Sequence, residues 1–99
     1  MDIKIHSVRF DADIKLINFI KSKVSKLIQF YDDIISAEVF LRLENSQDME
    51  NKIAEIKLDI PGNNLFAKKQ SKTFEEAIDL AVDALRKQVK KKKEKLRKS

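Results

Sequence analysis

The feature that most constrains the fold is the spacing of apolar residues, which changes period several times along the chain. Alternating apolar and polar residues, the pattern of strands with one buried face, occur in residues 2–8, 35–43, 52–60 and 65–71. Apolar residues recur every three or four positions, the pattern of amphipathic helices, over residues 14–31 and again from residue 73. The predicted element order is therefore β-α-β-β-β-α.

This order predicts an α+β fold with both helices packed on one face of a mixed four-stranded sheet. A strand, a helix and a second strand in succession favour a parallel pair with a right-handed crossover. The two later connections, at residues 44–51 and at Pro61–Asn64, are polar or turn-forming and predict antiparallel hairpins. Thr73 and Glu76 have the spacing of a capping box at the start of the second helix. We expect one domain over residues 1–99, with residues 90–99 forming a basic helical tail that frays.

Composition excludes several classes of function. The chain has no cysteine, one histidine and one glycine, which argues against thiol chemistry, a zinc site and a glycine-rich phosphate loop. The carboxylates fall on predicted solvent-facing positions, and the pair Asp32-Asp33 is typical of a corner between a helix and a strand. We therefore predict a protein that is not an enzyme, with no cofactor, no metal and no small-molecule substrate. The N-terminal sequence lacks an apolar signal region and no apolar run approaches membrane-spanning length, so we expect a cytoplasmic protein without a membrane partner.

Positive charge is concentrated at one end of the sequence. The formal net charge is +5. Residues 86–99 contain nine basic residues against the single acid Glu94, whereas residues 1–85 contain 12 basic and 15 acidic residues. A body near neutrality with a strongly basic end indicates a polyanionic partner.

The basic residues fall on both predicted helices. On the second helix, Arg86 and Lys90 share one stripe, and Lys87 and Lys91 share another. On the first helix the basic positions are Lys15, Lys21, Lys23 and Lys26. One interpretation of the terminal run is a solvated tail. The other is a row of cations that follows a nucleic-acid backbone, and it is favoured if the two helices bring their lysines together.

Two aromatic side chains are secondary candidates. Phe19 falls off the apolar stripe of the first helix, where its ring would either stack on a base or cover the edge between the helices. His6 is predicted on the outward face of the first strand, as a surface residue or as a contact to a phosphate or a base.

Several segments together resemble the ribosome hibernation-promoting factors, also called ribosome-associated inhibitors. The segment TFEEAIDLAVDALRKQVKKKK, residues 73–93, is similar to the second helix of that family, roughly DMYAAIDLAxDKLERQLRKxK. The first helix contains KVSKL and then FY at residues 23–31, which is similar to the family's KLxKLxxYF. The Pro-Gly-Asn turn and the element order also fit. Thr73-Phe74-Glu75 departs from the family's Asp-Met-Tyr, and Lys68-Lys69 lie where the family is often acidic.

The resemblance implies a fold like that of double-stranded-RNA-binding domains. It also implies binding to the small ribosomal subunit across the decoding region, where the folded domain would block mRNA and tRNA and keep the ribosome inactive under stress or in stationary phase. The implied rRNA contacts are Lys23, Lys26, Lys87 and Lys91, and charge alone adds Arg86 and Lys90. The chain would be a short form that binds as a monomer.

Two other hypotheses remain open from the sequence. The chain could be a general double-stranded-RNA-binding module unconnected to the ribosome. It could also be a protein-interaction domain whose basic tail docks an acidic partner or confers solubility.

Overall fold

A computed structural model describes the backbone of residues 2–44 and 50–97 and the side chains of residues 3–44 and 50–92. The elements are β1 (Asp2–Val8), α1 (Ile14–Phe30), β2 (Ser36–Leu43), β3 (Lys52–Ile60), β4 (Asn63–Ser71) and α2 (Phe74–Arg97). The predicted order is confirmed. Most of the predicted loop at residues 44–51 lies outside the described residues, although Glu44 N donates to Asn51 O at 2.9 Å at its base.

The four strands form one mixed sheet in the order β1-β2-β3-β4. β1 and β2 are parallel, and the two later pairs are antiparallel, as the sequence predicts. β4 begins at Asn63 rather than at the predicted Leu65, because the β3–β4 turn is tight and Ile60 already pairs with Asn63. Gly62 supplies the positive φ of +79° that this turn requires.

Both helices pack on the same face of the sheet, which confirms the predicted α+β architecture. The inward side chains of the strands are small or branched, and Val39, Ile56 and Leu58 are fully buried, whereas Ile3 and Ile5 of β1 are partly buried. The helix residues that cover them are Ile20, Val24, Leu27 and Ile28 of α1 and Phe74, Ala77, Ile78, Ala81, Val82, Leu85 and Val89 of α2. The buried stripe of α2 therefore reaches Val89, well into the basic half of the helix.

Local signals in the sequence fix where the helices begin and end. The Asp13 carboxylate accepts a hydrogen bond of 2.6 Å from Lys15 N and caps α1. The Thr73 hydroxyl accepts from Glu76 N at 3.1 Å, which is one half of the predicted capping box. α1 ends at Phe30, one residue before the predicted end, where Tyr31 turns to an extended conformation.

The two helices run in the same direction and start at the same end of the sheet. Phe10, just before α1, stacks on Phe74, the first residue of α2, with ring centroids 5.0 Å apart. α2 is the longer helix, with 24 residues against 17. With Lys23 beside Asp79, α2 extends about 16 Å beyond the end of α1. Residues 90–97 are helical, and fraying of the tail stays a prediction.

Candidate nucleic-acid interface

The lysines of α1 are placed mostly on one flank of that helix. The segment has four lysines and no acidic residue. Lys15, Phe19, Lys23 and Lys26 follow one another at spacings of three or four, so they form a continuous strip beside the buried stripe. Lys21 lies on the opposite flank. Since Lys23 contacts α2, the strip borders the groove between the helices.

The charges of α2 are separated along its length. Its first half contains four acidic residues, Glu75, Glu76, Asp79 and Asp83, and no basic one. From Arg86 to Arg97, eight of the twelve residues are basic and one, Glu94, is acidic. This arrangement matches the helix macrodipole, which favours acids near the N-terminus and cations near the C-terminus. The acidic half lies beside the lysines of α1, and the basic half continues past the end of α1.

Lys23 joins the two helices. Its Nζ lies 3.1 Å from Asp79 Oδ1 and 5.5 Å from the centroid of the Phe19 ring. Phe19 is half-buried and packs against the core. The interpretation of Phe19 as a cover over the helix edge is therefore confirmed, and Lys23 is a partnered cation with 37% of its side chain exposed.

Lys87 is also partnered, within its own helix. Its Nζ lies 3.3 Å from Asp83 Oδ2, four residues earlier. Both side chains are mostly exposed, at 79% for Lys87 and 59% for Asp83. Such a pair adds little to stability, but the carboxylate lowers the positive charge that Lys87 presents to an approaching anion.

The remaining predicted contacts form the group that we call the helical basic surface: Lys26, Arg86, Lys90 and Lys91. All four side chains are exposed, and none makes an ion pair with another side chain that the structure describes. Arg86 and Lys90 lie on the same flank of α2 as Asp79, the flank that meets α1. Lys26 lies one turn beyond Lys23 on α1. These three cations therefore border the same groove toward its C-terminal end.

The opposite face of the sheet, which we call the outer sheet face, has a different charge arrangement. Glu38 lies opposite Lys57 and Glu55 lies opposite Lys68 in the strand register. Arg42 Nε also lies 3.6 Å from Glu55 Oε1. Opposite charges therefore alternate across the strands, and they cancel locally.

His6 belongs to this outer sheet face and already has partners. Its Nε2 lies 2.9 Å from Glu38 Oε2, and its ring stacks on Phe40 with centroids 4.9 Å apart. These contacts favour the interpretation of His6 as a structural surface residue.

The corner after α1 is structural as well. Tyr31 is buried, and burial raises the pKa of its phenol; the charge of the nearby Asp33 carboxylate and the hydrogen bond that it accepts raise the pKa further. Asp33 therefore orders the corner, in agreement with the interpretation of Asp32-Asp33 from the sequence. In the described part of the chain no three acidic or histidine side chains are grouped to hold a metal ion, and no helix is both long and apolar enough to span a membrane.

Sequence reasoning located the basic residues but not their acidic partners. The periodicity of α1 and α2 places Lys23, Lys26, Arg86, Lys87, Lys90 and Lys91 on exposed helix surfaces, as the structure does. The pairing of Lys23 with Asp79 depends on how the helices lie against each other, which no local pattern reports. The Asp83–Lys87 pair, at i and i+4, has a local signal and could have been found.

Comparisons with known proteins agree with this fold. The family described as sigma 54 modulation protein / S30EA ribosomal protein matches residues 3–97. A curated Klebsiella oxytoca protein named ribosome hibernation promoting factor is 32% identical over 80 residues, which are 81% of this chain and 80% of that protein.

Two solved structures share the architecture. A ribosomal subunit interface protein from Coxiella burnetii superposes with a TM-score of 0.83 at 20% identity, over 94% of this chain and 98% of that one. The N-terminal domain of Thermus thermophilus Protein Y gives a TM-score of 0.78 at 28% identity, over 92% and 98%. Fold and sequence thus define the same class of small α+β protein. The chain belongs to the sigma 54 modulation protein / S30EA ribosomal protein family, which confirms the resemblance to hibernation-promoting factors.

Proposed function

We propose that this chain is a ribosome hibernation factor that binds the small ribosomal subunit through rRNA near the decoding region. The observation that carries the proposal is the family match over residues 3–97. The curated relative named for ribosome hibernation supports it. Such a factor acts in the cytoplasm, where ribosomes are.

The helical basic surface supports rRNA as the direct partner. Its four cations make no ion pair with another described side chain, so a phosphate that approaches them displaces no carboxylate among those side chains. Each phosphate that is neutralised releases counterions, which makes the affinity steeply dependent on salt. Lys23 and Lys87 keep further N–H donors beside their ion pairs, and they add contacts once the domain is in place.

The proposed mechanism is steric and needs no catalysis. The domain measures 48 × 26 × 19 Å along its principal axes. Held on rRNA by its helices, a body of this size occupies volume that mRNA and tRNA would otherwise fill. The ribosome is then kept inactive during stress or in stationary phase, and activity returns when the domain leaves.

Co-sedimentation with purified small subunits tests the binding step. At near-physiological salt, with excess duplex RNA as competitor, we expect saturable binding of one copy per subunit. Protein that stays at the top of the gradient would contradict the ribosomal proposal and favour a protein-interaction domain. Protein that duplex RNA strips from the subunit would favour a general RNA-binding module.

A matched pair of variants tests which face binds. The variant Lys26→Gln/Arg86→Gln/Lys90→Gln removes three charges from the helical basic surface. Its control, Lys4→Gln/Lys57→Gln/Lys68→Gln, removes the same charge from the outer sheet face. We expect the first to lose about 10- to 100-fold in affinity for the subunit and the control to lose less than threefold. Equal losses would contradict binding through the helices.

The blocking step needs its own measurement. Small subunits programmed with mRNA are saturated with the protein, and tRNA binding is measured by filter retention. We expect tRNA retention to fall in proportion to occupancy. Undiminished tRNA binding on fully occupied subunits would contradict the steric mechanism while leaving ribosome binding intact.

A further inference from the structure

The acidic half of α2 lies beside the lysines that the sequence assigns to RNA binding, and two of its carboxylates contact them. We propose that Asp79 and Asp83 are specificity-determining residues that suppress binding to RNA at large by neutralising Lys23 and Lys87. The ribosomal half of this inference rests on the proposed function. Suppression of generic RNA binding does not, and it can be measured without ribosomes.

Asp79 acts on Lys23 across the two helices. The ammonium is held between a carboxylate oxygen at 3.1 Å and the Phe19 ring at 5.5 Å. It is thus fixed in one place rather than free to follow a passing phosphate. A phosphate that approaches Lys23 meets a pair without net charge and has to displace the carboxylate or lie next to it.

Asp83 acts on Lys87 within one helix, with Nζ 3.3 Å from the carboxylate. Both carboxylates precede Arg86, the first residue of α2 that belongs to the helical basic surface. The acids therefore set where the unbalanced positive charge starts. Without them, the strip of α1 lysines and the basic half of α2 would join into one continuous cationic surface.

Neutralisation affects weak, generic binding more than shape-matched binding. A mobile RNA duplex is held almost only by counterion release, so each neutralised lysine lowers its affinity directly. A fixed rRNA surface offers several contacts at defined positions, and these offset the cost of sharing Lys23 and Lys87 with carboxylates. The ratio of the affinity for the small subunit to the affinity for an RNA duplex rises as a result. The protein thus gains specificity because binding to the wrong partner is disfavoured.

The test compares two variants with the same change in net charge. Asp79→Asn/Asp83→Asn frees both lysines. Its control, Glu75→Gln/Glu76→Gln, removes two acids from the same helix that make no ion pair among the described residues, and glutamine at position 76 still suits the capping box. Affinity for a short RNA duplex of arbitrary sequence is measured by fluorescence anisotropy over a salt series, and affinity for small subunits by co-sedimentation.

We expect the aspartate variant to bind duplex RNA about 3- to 10-fold more tightly than the control variant does. Its slope of log affinity against log salt should be steeper by about one to two. Affinity for small subunits should rise by less than the duplex affinity, so that discrimination falls. Asp79→Asn alone should also raise the affinity for duplex RNA, and adding Lys23→Gln to it should abolish that increase.

Two results would overturn the inference: equal duplex affinities for the aspartate variant and its control, or a gain from Asp79→Asn alone that survives the addition of Lys23→Gln. A parallel rise for duplex and subunit would overturn the role in specificity. If the unmodified protein binds no subunits, the proposed function fails, and the duplex measurements still decide whether Asp79 and Asp83 suppress generic binding.

Discussion

The helical side and the outer sheet face are built from similar residues but present charge in different ways. On the outer sheet face, carboxylates and lysines lie opposite one another across the strands, as Glu38 and Lys57 do. On the helical side, the charged residues of α1 are all lysines, and in α2 the acidic residues precede most of the basic ones. Opposite charges are therefore interleaved on the sheet, whereas positive charge predominates on the helical side from Arg86 onward.

The difference between the outer sheet face and α2 follows from the geometry of the two surfaces, whereas α1 has no acid in its first turn and no basic residue in its last. In an antiparallel pair, residues directly opposite are neighbours, so like charges there are costly and opposite charges are favoured. In a helix, the macrodipole favours acids in the first turn and cations in the last. A small α+β domain can thus keep one face neutral and make the other a binding surface without any change in its core.

The largest expected effect tests whether the core holds α2 in place. Leu85 of α2 is fully buried, so Leu85→Ala should lower the free energy of unfolding by about 2–5 kcal/mol. Leu80, on the same helix and 44% exposed, is the matched control, and Leu80→Ala should cost less than about 0.5 kcal/mol. Urea unfolding monitored by circular dichroism gives both values. Equal costs would contradict the placement of the α2 stripe.

Removing the terminal basic residues should separate binding from folding. Val89 is the last residue of α2 that the structure shows as buried. Deleting residues 90–99 should therefore leave the melting temperature within a few degrees of the full chain. Affinity for small subunits should fall by about 10- to 100-fold, since the deletion takes the formal net charge from +5 to −1. A collapse of the melting temperature would mean that the tail supports the body.

The sequence predicted the architecture because the strand and helix periods are strong and the turns carry local signals. The alternation over residues 35–43 and 52–60 predicted strands with one buried face, and Val39, Ile56 and Leu58 lie on that face. It missed contacts that depend on how distant elements meet, such as Phe10 on Phe74 and Lys23 with Asp79, because periodicity identifies the face of an element and not the neighbour across it. The predicted start of β4 was wrong for a local reason. Two consecutive asparagines are typical of a turn, although Asn63 already pairs with Ile60 of β3.

Single charge removals should sharpen the comparison of the two faces. Lys26→Gln should lower the slope of log affinity against log salt by about one, because one phosphate contact is lost. Lys68→Gln removes the same charge from the outer sheet face and should leave the slope unchanged. Binding to small subunits over a salt series measures both. A change of slope for Lys68→Gln and none for Lys26→Gln would reverse the assignment of the faces.

The smallest expected effect concerns the corner after α1. The chain has one tyrosine and no tryptophan, so absorbance at the phenolate band reports Tyr31 alone. Its pKa should lie above the usual value of about 10. At a pH between the usual pKa, which holds in the unfolded chain, and the raised pKa of the folded protein, the folded protein keeps a proton that the unfolded chain has lost. The free energy of unfolding should therefore fall as pH rises above about 10 and be unaffected below.

Asp33→Asn provides the control for this titration. It removes the charge and the accepting carboxylate but leaves Tyr31 buried, so the pKa of the phenol should move down without reaching the usual value. A phenol that titrates normally in the unmodified protein would contradict the described corner.

Our proposal that the helices, and not the sheet, face the rRNA can be tested directly on the small subunit. Because the chain has no cysteine, single cysteines can be introduced at Ser22 on α1 and at Asn64 on the outer sheet face, both exposed. Each variant, loaded with a tethered hydroxyl-radical source and bound to small subunits, is mapped by primer extension of the rRNA. If the helices face the rRNA, we expect strong cleavage around the decoding region from position 22 and weaker cleavage there from position 64. Stronger cleavage from position 64 would contradict the proposal.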